Sequence, residues 1–132
     1  MPARSGRPRV LVVDDEPSIC KALAIALGRA GFDVLTAHGG ESAHAMLTVE
    51  PVDLLLLDLR MPDLRGDVVF HLAVSEQPHL AHQTLFFTGD VTERATTIIA
   101  GCGCPFVRKP FDLRDVIEAL RALAPRTQSA SA

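Results

Sequence analysis

The sequence predicts one α/β domain, a five-stranded parallel sheet doubly wound with helices on both faces. Two observations carry this. Five short apolar strands alternate strictly with five segments of helical periodicity, the pattern that gives a parallel sheet with right-handed crossovers. Several of the strands are continuous apolar runs rather than alternating ones, as strands buried on both faces must be. The length, 132 residues, supplies one hydrophobic core and not two.

Residues 10–13, Val-Leu-Val-Val, form the first strand. Residues 18–30 follow as a helix, with Ile19, Ala22, Leu23, Ala26 and Leu27 at helical spacing and Gly31 closing it. Residues 33–37 are the second strand, and 41–49 the second helix, ended near Pro51. The third strand, 53–58, holds four consecutive leucines and belongs at the centre of the sheet. Met61-Pro62-Asp63 makes a turn, and Gly66 lets the chain bend into a third helix that runs to about Gln77, before Pro78. Residues 84–88 are the fourth strand. The fourth helix, 92–100, contains the β-branched Thr96, Thr97, Ile98 and Ile99, which lower its propensity. Residues 106–108 form the fifth strand. Asp112 caps the last helix, whose apolar stripe is Val116, Ile117, Leu120 and Leu123. The domain is expected at 9–124, between a flexible N-terminal segment, 1–8, and a small, polar, flexible tail, 125–132.

Composition narrows the function. A formal net charge of −3, with no Trp and no Tyr, argues against direct nucleic-acid binding. Arg4, Arg7 and Arg9 precede an apolar run, but the run stops at Asp14-Asp15-Glu16, too soon for an export signal. The leucine run is too short to span a bilayer. The expected location is the cytoplasm, without membrane contact by this domain. Cys20, Cys102 and Cys104 are odd in number and read as free thiols, not as a disulfide framework or a zinc site.

Chemistry is concentrated where strands end. In doubly wound sheets, sites form at the carboxyl ends of strands where the strand order reverses; for the order 2-1-3-4-5 that point lies between the first and third strands. The first strand ends in Asp14-Asp15, the third in Asp58, the fourth in Thr88 and the fifth in Lys109. Taken singly, the acids could lead into a helix, Thr88 could be an ordinary strand end and Lys109 a surface charge. Together they form a set. Two like charges about 4 Å apart repel by roughly 4 kcal/mol at an effective dielectric near 20, so converging carboxylates protonate or recruit a cation. Oxygen ligands in small number suit Mg²⁺. A carboxylate nucleophile, Mg²⁺, a lysine and a hydroxyl are the parts of an in-line phosphoryl transfer.

These segments carry a resemblance. Val10-Leu11-Val12-Val13-Asp14-Asp15-Glu16-Pro17, Asp58-Leu59-Arg60-Met61-Pro62 with Gly66, Thr88-Gly89 and Lys109-Pro110-Phe111 resemble the receiver domain of two-component response regulators, from Arg9 to about Ala124. The resemblance implies the flavodoxin-like order 2-1-3-4-5. It makes Asp58 the phosphoacceptor. Mg²⁺ or Mn²⁺ is then held by Asp14, Asp15, Asp58 and the backbone carbonyl of Arg60. Lys109 becomes the phosphoryl-binding amine, Thr88 the switch hydroxyl and Phe106 the switch aromatic. The Lys109-Pro110 bond is usually cis in such proteins. Arg60 and Asp90 are expected over the pocket mouth, modulating the lifetime of the phosphoryl group.

The implied partner is a sensor histidine kinase or a histidine phosphotransfer domain. The domain is not a turnover enzyme, and a homodimer through the face of the fourth helix, fifth strand and fifth helix is compatible with it. Phe106 departs from the common Tyr, and Cys102-Gly103-Cys104-Pro105 from the usual residues before the last strand. Thr88-Gly89-Asp90 is similar to receivers fused to hybrid sensor kinases. Two rivals remain. A haloacid-dehalogenase-like phosphohydrolase wants a second Asp where Arg60 stands, and a flavodoxin-like nucleotide or flavin binder wants a phosphate loop where the acids stand.

Overall fold

The four leucines of the third strand explain the architecture. Alternate side chains of a strand point to opposite faces, so Leu54 and Leu56 enter one apolar cluster and Leu55 and Leu57 another. A strand apolar on both faces needs cover on both, and the structure supplies it. The structure, a computed structural model, describes residues 6–89 and 92–124. Among these, the strands are β1 (Arg9–Val13), β2 (Asp33–Ala37), β3 (Leu54–Asp58), β4 (Thr84–Thr88) and β5 (Phe106–Arg108). The helices are α1 (Pro17–Arg29), α2 (Gly40–Leu47), α3 (Gly66–Glu76), α4 (Glu93–Cys102) and α5 (Leu113–Leu123). All strand pairs are parallel, in the order β2-β1-β3-β4-β5, as expected from the sequence.

On one face, Val10, Val12, Leu54, Leu56, Leu85 and Phe87 pack against Cys20, Leu23 and Leu27 of α1 and Val116 and Leu120 of α5. On the other, Leu11, Val13, Leu55, Leu57 and Phe86 meet residues of α2, α3 and α4. The residues of β3 and β4 are all buried, whereas β5, at an edge, is largely exposed.

Element ends follow local chemistry. Pro17, tolerated at a first helical position, starts α1 one residue earlier than expected. Thr92 lies outside α4 and caps it, its side chain accepting from the Ala95 N–H at 3.2 Å. That helix runs past Ala100 to Gly103, whose φ of 73° makes the left-handed stop. Asp112 caps α5 as expected, accepting from Arg114 N–H at 2.8 Å. A 3-10 helix at Pro78–His82, too short to show a period, was not foreseen; it buries Leu80. Arg7 donates to the carbonyls of Gly28, Gly31 and Phe32, tying to the end of α1 a stretch expected to be flexible. Residues 1–5 and the tail at 125–132 lie outside the described residues.

Candidate functional site

The sheet ladder continues one step past the strands, and this aims the site residues. Asp14 N–H donates to the Ala37 carbonyl at 3.1 Å, extending the β1–β2 pairing, and Lys109 N–H donates to the Thr88 carbonyl at 2.8 Å, extending β4–β5. Asp58 closes β3 and Thr88 closes β4. Asp14, Asp58 and Thr88 are buried, while Asp15 is exposed. One carboxylate oxygen from each of Asp14, Asp15 and Asp58 lies within 4.8 Å of the others. No other such group of His, Cys, Asp or Glu occurs among the described residues.

Lys109 bridges the buried pair. Its Nζ lies 2.9 Å from Asp14 Oδ2 and 3.4 Å from Asp58 Oδ2. The ammonium also stands 4.7 Å from the centre of the Phe87 ring, a cation–π contact that limits its swing. Phe87 in turn packs edge-on against Phe111. In the sequence, Phe87 is only one apolar residue of the fourth strand. The Lys109-Pro110 bond is cis.

Hydrogen bonds hold the two buried acids in place. Asp14 Oδ1 accepts from Glu16 N–H at 2.8 Å, and Asp58 Oδ1 from Arg60 N–H at 3.2 Å. Burial pushes the Asp58 carboxyl up to about 6; Lys109 opposes this, and Asp14 adds to it. Burial would lower the Lys109 ammonium, yet its bond to Asp14 and the charges of Asp58 and Asp14 raise it. Three carboxylates beside one ammonium leave two negative charges to be balanced. The hard oxygen donors and that charge fit one Mg²⁺ or Mn²⁺. Below the pocket, the Cys20 thiol, 3.4 Å from the Asp14 carbonyl, is pushed up to about 11 by burial and then by Asp14. Such a thiol packs rather than reacts.

The expected site thus gathers Asp14, Asp15, Asp58 and Lys109, with Thr88 buried at the end of the strand next to Asp58. Phe106 is 41% exposed, on the edge strand β5. Arg60 lines a groove of about 200 Å³ with Leu59, Arg65, Thr92 and Arg94, a groove that includes none of the three acids. Asp90, its expected companion, lies outside the described residues.

No helix among the described residues is long and apolar enough to cross a membrane. The probable transcriptional regulatory protein TcrX of Mycobacterium tuberculosis is 39% identical over 123 residues, covering 92% of this chain and 52% of TcrX. Among solved structures, the response regulator receiver domain protein (CheY-like) of Methanospirillum hungatei JF-1 has a TM-score of 0.82 at 24% identity, covering 89% of this chain and 93% of that one. A receiver domain protein from Clostridium thermocellum has a TM-score of 0.79 at 25% identity, covering 88% and 93%. The chain spans about half the length of the curated relatives it matches. The family described as "Response regulator receiver domain" matches residues 10–121. That match runs from β1 into α5, across every strand end that feeds the pocket, and the chain belongs to the response regulator receiver domain family of two-component signalling.

Proposed function

We propose that Asp58 accepts a phosphoryl group from a phosphohistidine on a sensor histidine kinase or histidine phosphotransfer partner. The observation that carries this is the meeting of Asp14, Asp15 and Asp58 within 4.8 Å, with Lys109 bonded to two of them. An oxygen of the Asp58 carboxylate attacks phosphorus in line. The phosphorus–nitrogen bond breaks, and the imidazole leaves with its electron pair. Lys109 exchanges part of its contact with Asp58 for a phosphoryl oxygen and holds the charge that has arrived. Asp14, Asp15, Asp58 and the backbone carbonyl of Arg60 would hold Mg²⁺ or Mn²⁺, which when bound supplies neutralising charge to the transferring group.

Thr88 then donates its hydroxyl to a phosphoryl oxygen, and Phe106 turns inward. The face of α4, β5 and α5 changes shape, altering a protein partner surface or a homodimer. In this reading the domain acts in the cytoplasm and does not turn over a substrate. It makes no contact with membrane or nucleic acid itself; any DNA binding would belong to another part of a longer protein. A hybrid sensor kinase is a second setting, favoured by Thr88-Gly89-Asp90.

Phosphorylation by a small phosphodonor with Mg²⁺ tests the assignment, read by intact mass. Wild type gains one phosphoryl group and Asp58→Ala gains none. Equal labelling of the variant would overturn it.

A further inference from the structure

We infer that Asp63 is a positioning residue: by fastening the acceptor loop to the N-terminus of α2, it sets the loop backbone that supports cation binding at Asp58. This deepens the proposed function and rests on its assignment of the metal ligands.

The loop between β3 and α3 is held at two points. Its neck is closed by Gly66, whose N–H donates to the Leu59 carbonyl at 2.8 Å. A Cβ at Gly66 would lie 2.4 Å from the Asp58 carbonyl oxygen and 2.8 Å from Leu59 Cα, so only glycine allows this closure. The far side of the loop is held by Asp63. Its carboxylate accepts from Gly40 N–H at 3.0 Å, Glu41 N–H at 2.9 Å and its neighbour Leu64 N–H at 2.8 Å. The Glu41 and Gly40 bonds, in that order, hold the Asp63 carboxyl below its ordinary range.

Helix α2 needs this carboxylate. Its own cap residue, Gly39, has no side chain with which to satisfy the first N–H groups. Asp63 supplies the cap from more than twenty residues downstream. The helix start is fitted to the loop: a Cβ on Gly39 would stand 2.9 Å from Asp63 Oδ2, and one on Gly40 2.7 Å from Leu64 Cβ and Val69 Cγ2.

Arg60 lies between the two fastenings. Its N–H bonds Asp58 Oδ1 at 3.2 Å, and its carbonyl is the ligand assigned above. With neck and far side both fixed, the peptides at 60–62 have little freedom to rotate. Met61 and Leu64 also pack on the core, so loss of Asp63 loosens the loop without releasing it. Supporting groups of this kind commonly change metal affinity 10- to 100-fold; with two apolar anchors left, the expected effect is about tenfold. Coupling of this sort is reciprocal, so cation binding at Asp58 must also be felt at the Gly40 and Glu41 amides.

Mg²⁺ titration of the metal-free protein, followed by calorimetry and by amide NMR shifts, tests the inference. The chain has no Trp or Tyr to report by fluorescence. Asp63→Ala should weaken Mg²⁺ binding about tenfold and abolish the Mg²⁺ response of the Gly40 and Glu41 amides. Asp63→Asn keeps one acceptor oxygen and should fall between the two; it serves also if the alanine variant is too unstable. Leu47→Ala lowers the thermal midpoint from the other end of α2 and should leave Mg²⁺ affinity unchanged. An Asp63→Ala protein with wild-type affinity, beside an Asp15→Asn protein that has lost it, would overturn the inference and spare the metal assignment. Unchanged affinity in Asp15→Asn would overturn both.

Discussion

The two ends of the sheet handle charge in opposite ways. At the end where the strands begin, three acids also gather round one base, but all three keep contact with water. Arg9 pairs with Asp33 at 3.0 Å and Glu50 at 3.2 Å, while its own N–H donates to Asp53 at 2.7 Å. Gln77 fills three backbone vacancies, accepting from Val52 N–H and donating to the Leu47 and Glu50 carbonyls. Gln83 and His79 meet the carbonyls of Asp53 and Val52. At the end where the strands finish, three acids share one lysine, and two of them are buried. Partly exposed acids around Arg9 and satisfied backbone groups close off the first end as structure. Buried negative charge, on Asp14 and Asp58, leaves the second end dependent on what it binds.

The largest expected effect tests whether the buried charge burdens the fold. Asp58 carries a folded carboxyl raised from 3.8 to about 6. In metal-free protein, Asp58→Asn should therefore stabilise the domain at pH 7 by on the order of 3 kcal/mol. Below about pH 4 the folded and unfolded forms are both protonated, and the gain should vanish. Between about pH 4 and 6 the folded carboxyl keeps a proton that the unfolded chain has released, so wild type loses stability as pH rises. Chemical denaturation with a chelator present would measure this. A gain independent of pH would show that the carboxylate is not the source.

A close second concerns the cation. At 100 times its dissociation constant, Mg²⁺ should stabilise wild type by about 2.7 kcal/mol. Asp15→Asn should lose most of that at the same concentration. Because Asp15 is exposed, the variant should differ from metal-free wild type by only about 0.5 kcal/mol. A thermal midpoint indifferent to millimolar Mg²⁺ would erase the contrast between the two ends.

The opposite end offers the control. Gln77→Ala strands the Val52 N–H and two carbonyls and should cost about 1–3 kcal/mol with no change in Mg²⁺ affinity. A shift in that affinity would mean the two ends communicate through the sheet. The smallest effect is kinetic. Arg60 follows Asp58 by two residues, and if it shields the phosphoryl group, Arg60→Ala should speed decay of the aspartyl phosphate by about two- to threefold, within the roughly 1 kcal/mol of an exposed charge. A decay rate equal to or slower than wild type would show that Arg60 does not shield the phosphoryl group.

How much could be read beforehand depended on the range of the signal. The leucine run of β3 and the acids after β1 are local patterns, and both the sheet and the pocket residues followed from them. The start of α4 was displaced by one residue because Thr92 can be read as a first helical residue or as a cap until its side-chain bond is seen. The bonds from Asp63 to Gly40 and Glu41 were not legible. In sequence, Asp63 completes a turn after Pro62, and nothing in α2 announces that its cap lies in a distant loop. Phe87 was equally silent, since its support of Lys109 depends on how β4 and β5 pair.

The two-sided packing of the strands also gives the sheet a phase. Val10 and Val12 face the α1 and α5 side, and Asp14 continues that series by twos. Leu54, Leu56 and then Asp58 do the same, as do Val107 and then Lys109. Lys109 finds both acids because three strands arrive in step. Gaining or losing one residue inside any of them would turn its last side chain to the opposite face and scatter the group, although every functional residue would still be present. A change of two residues would restore the step. Length variation in this domain is therefore expected to accumulate in the loops, while the strands that carry Asp14, Asp58 and Lys109 should tolerate only even-numbered changes.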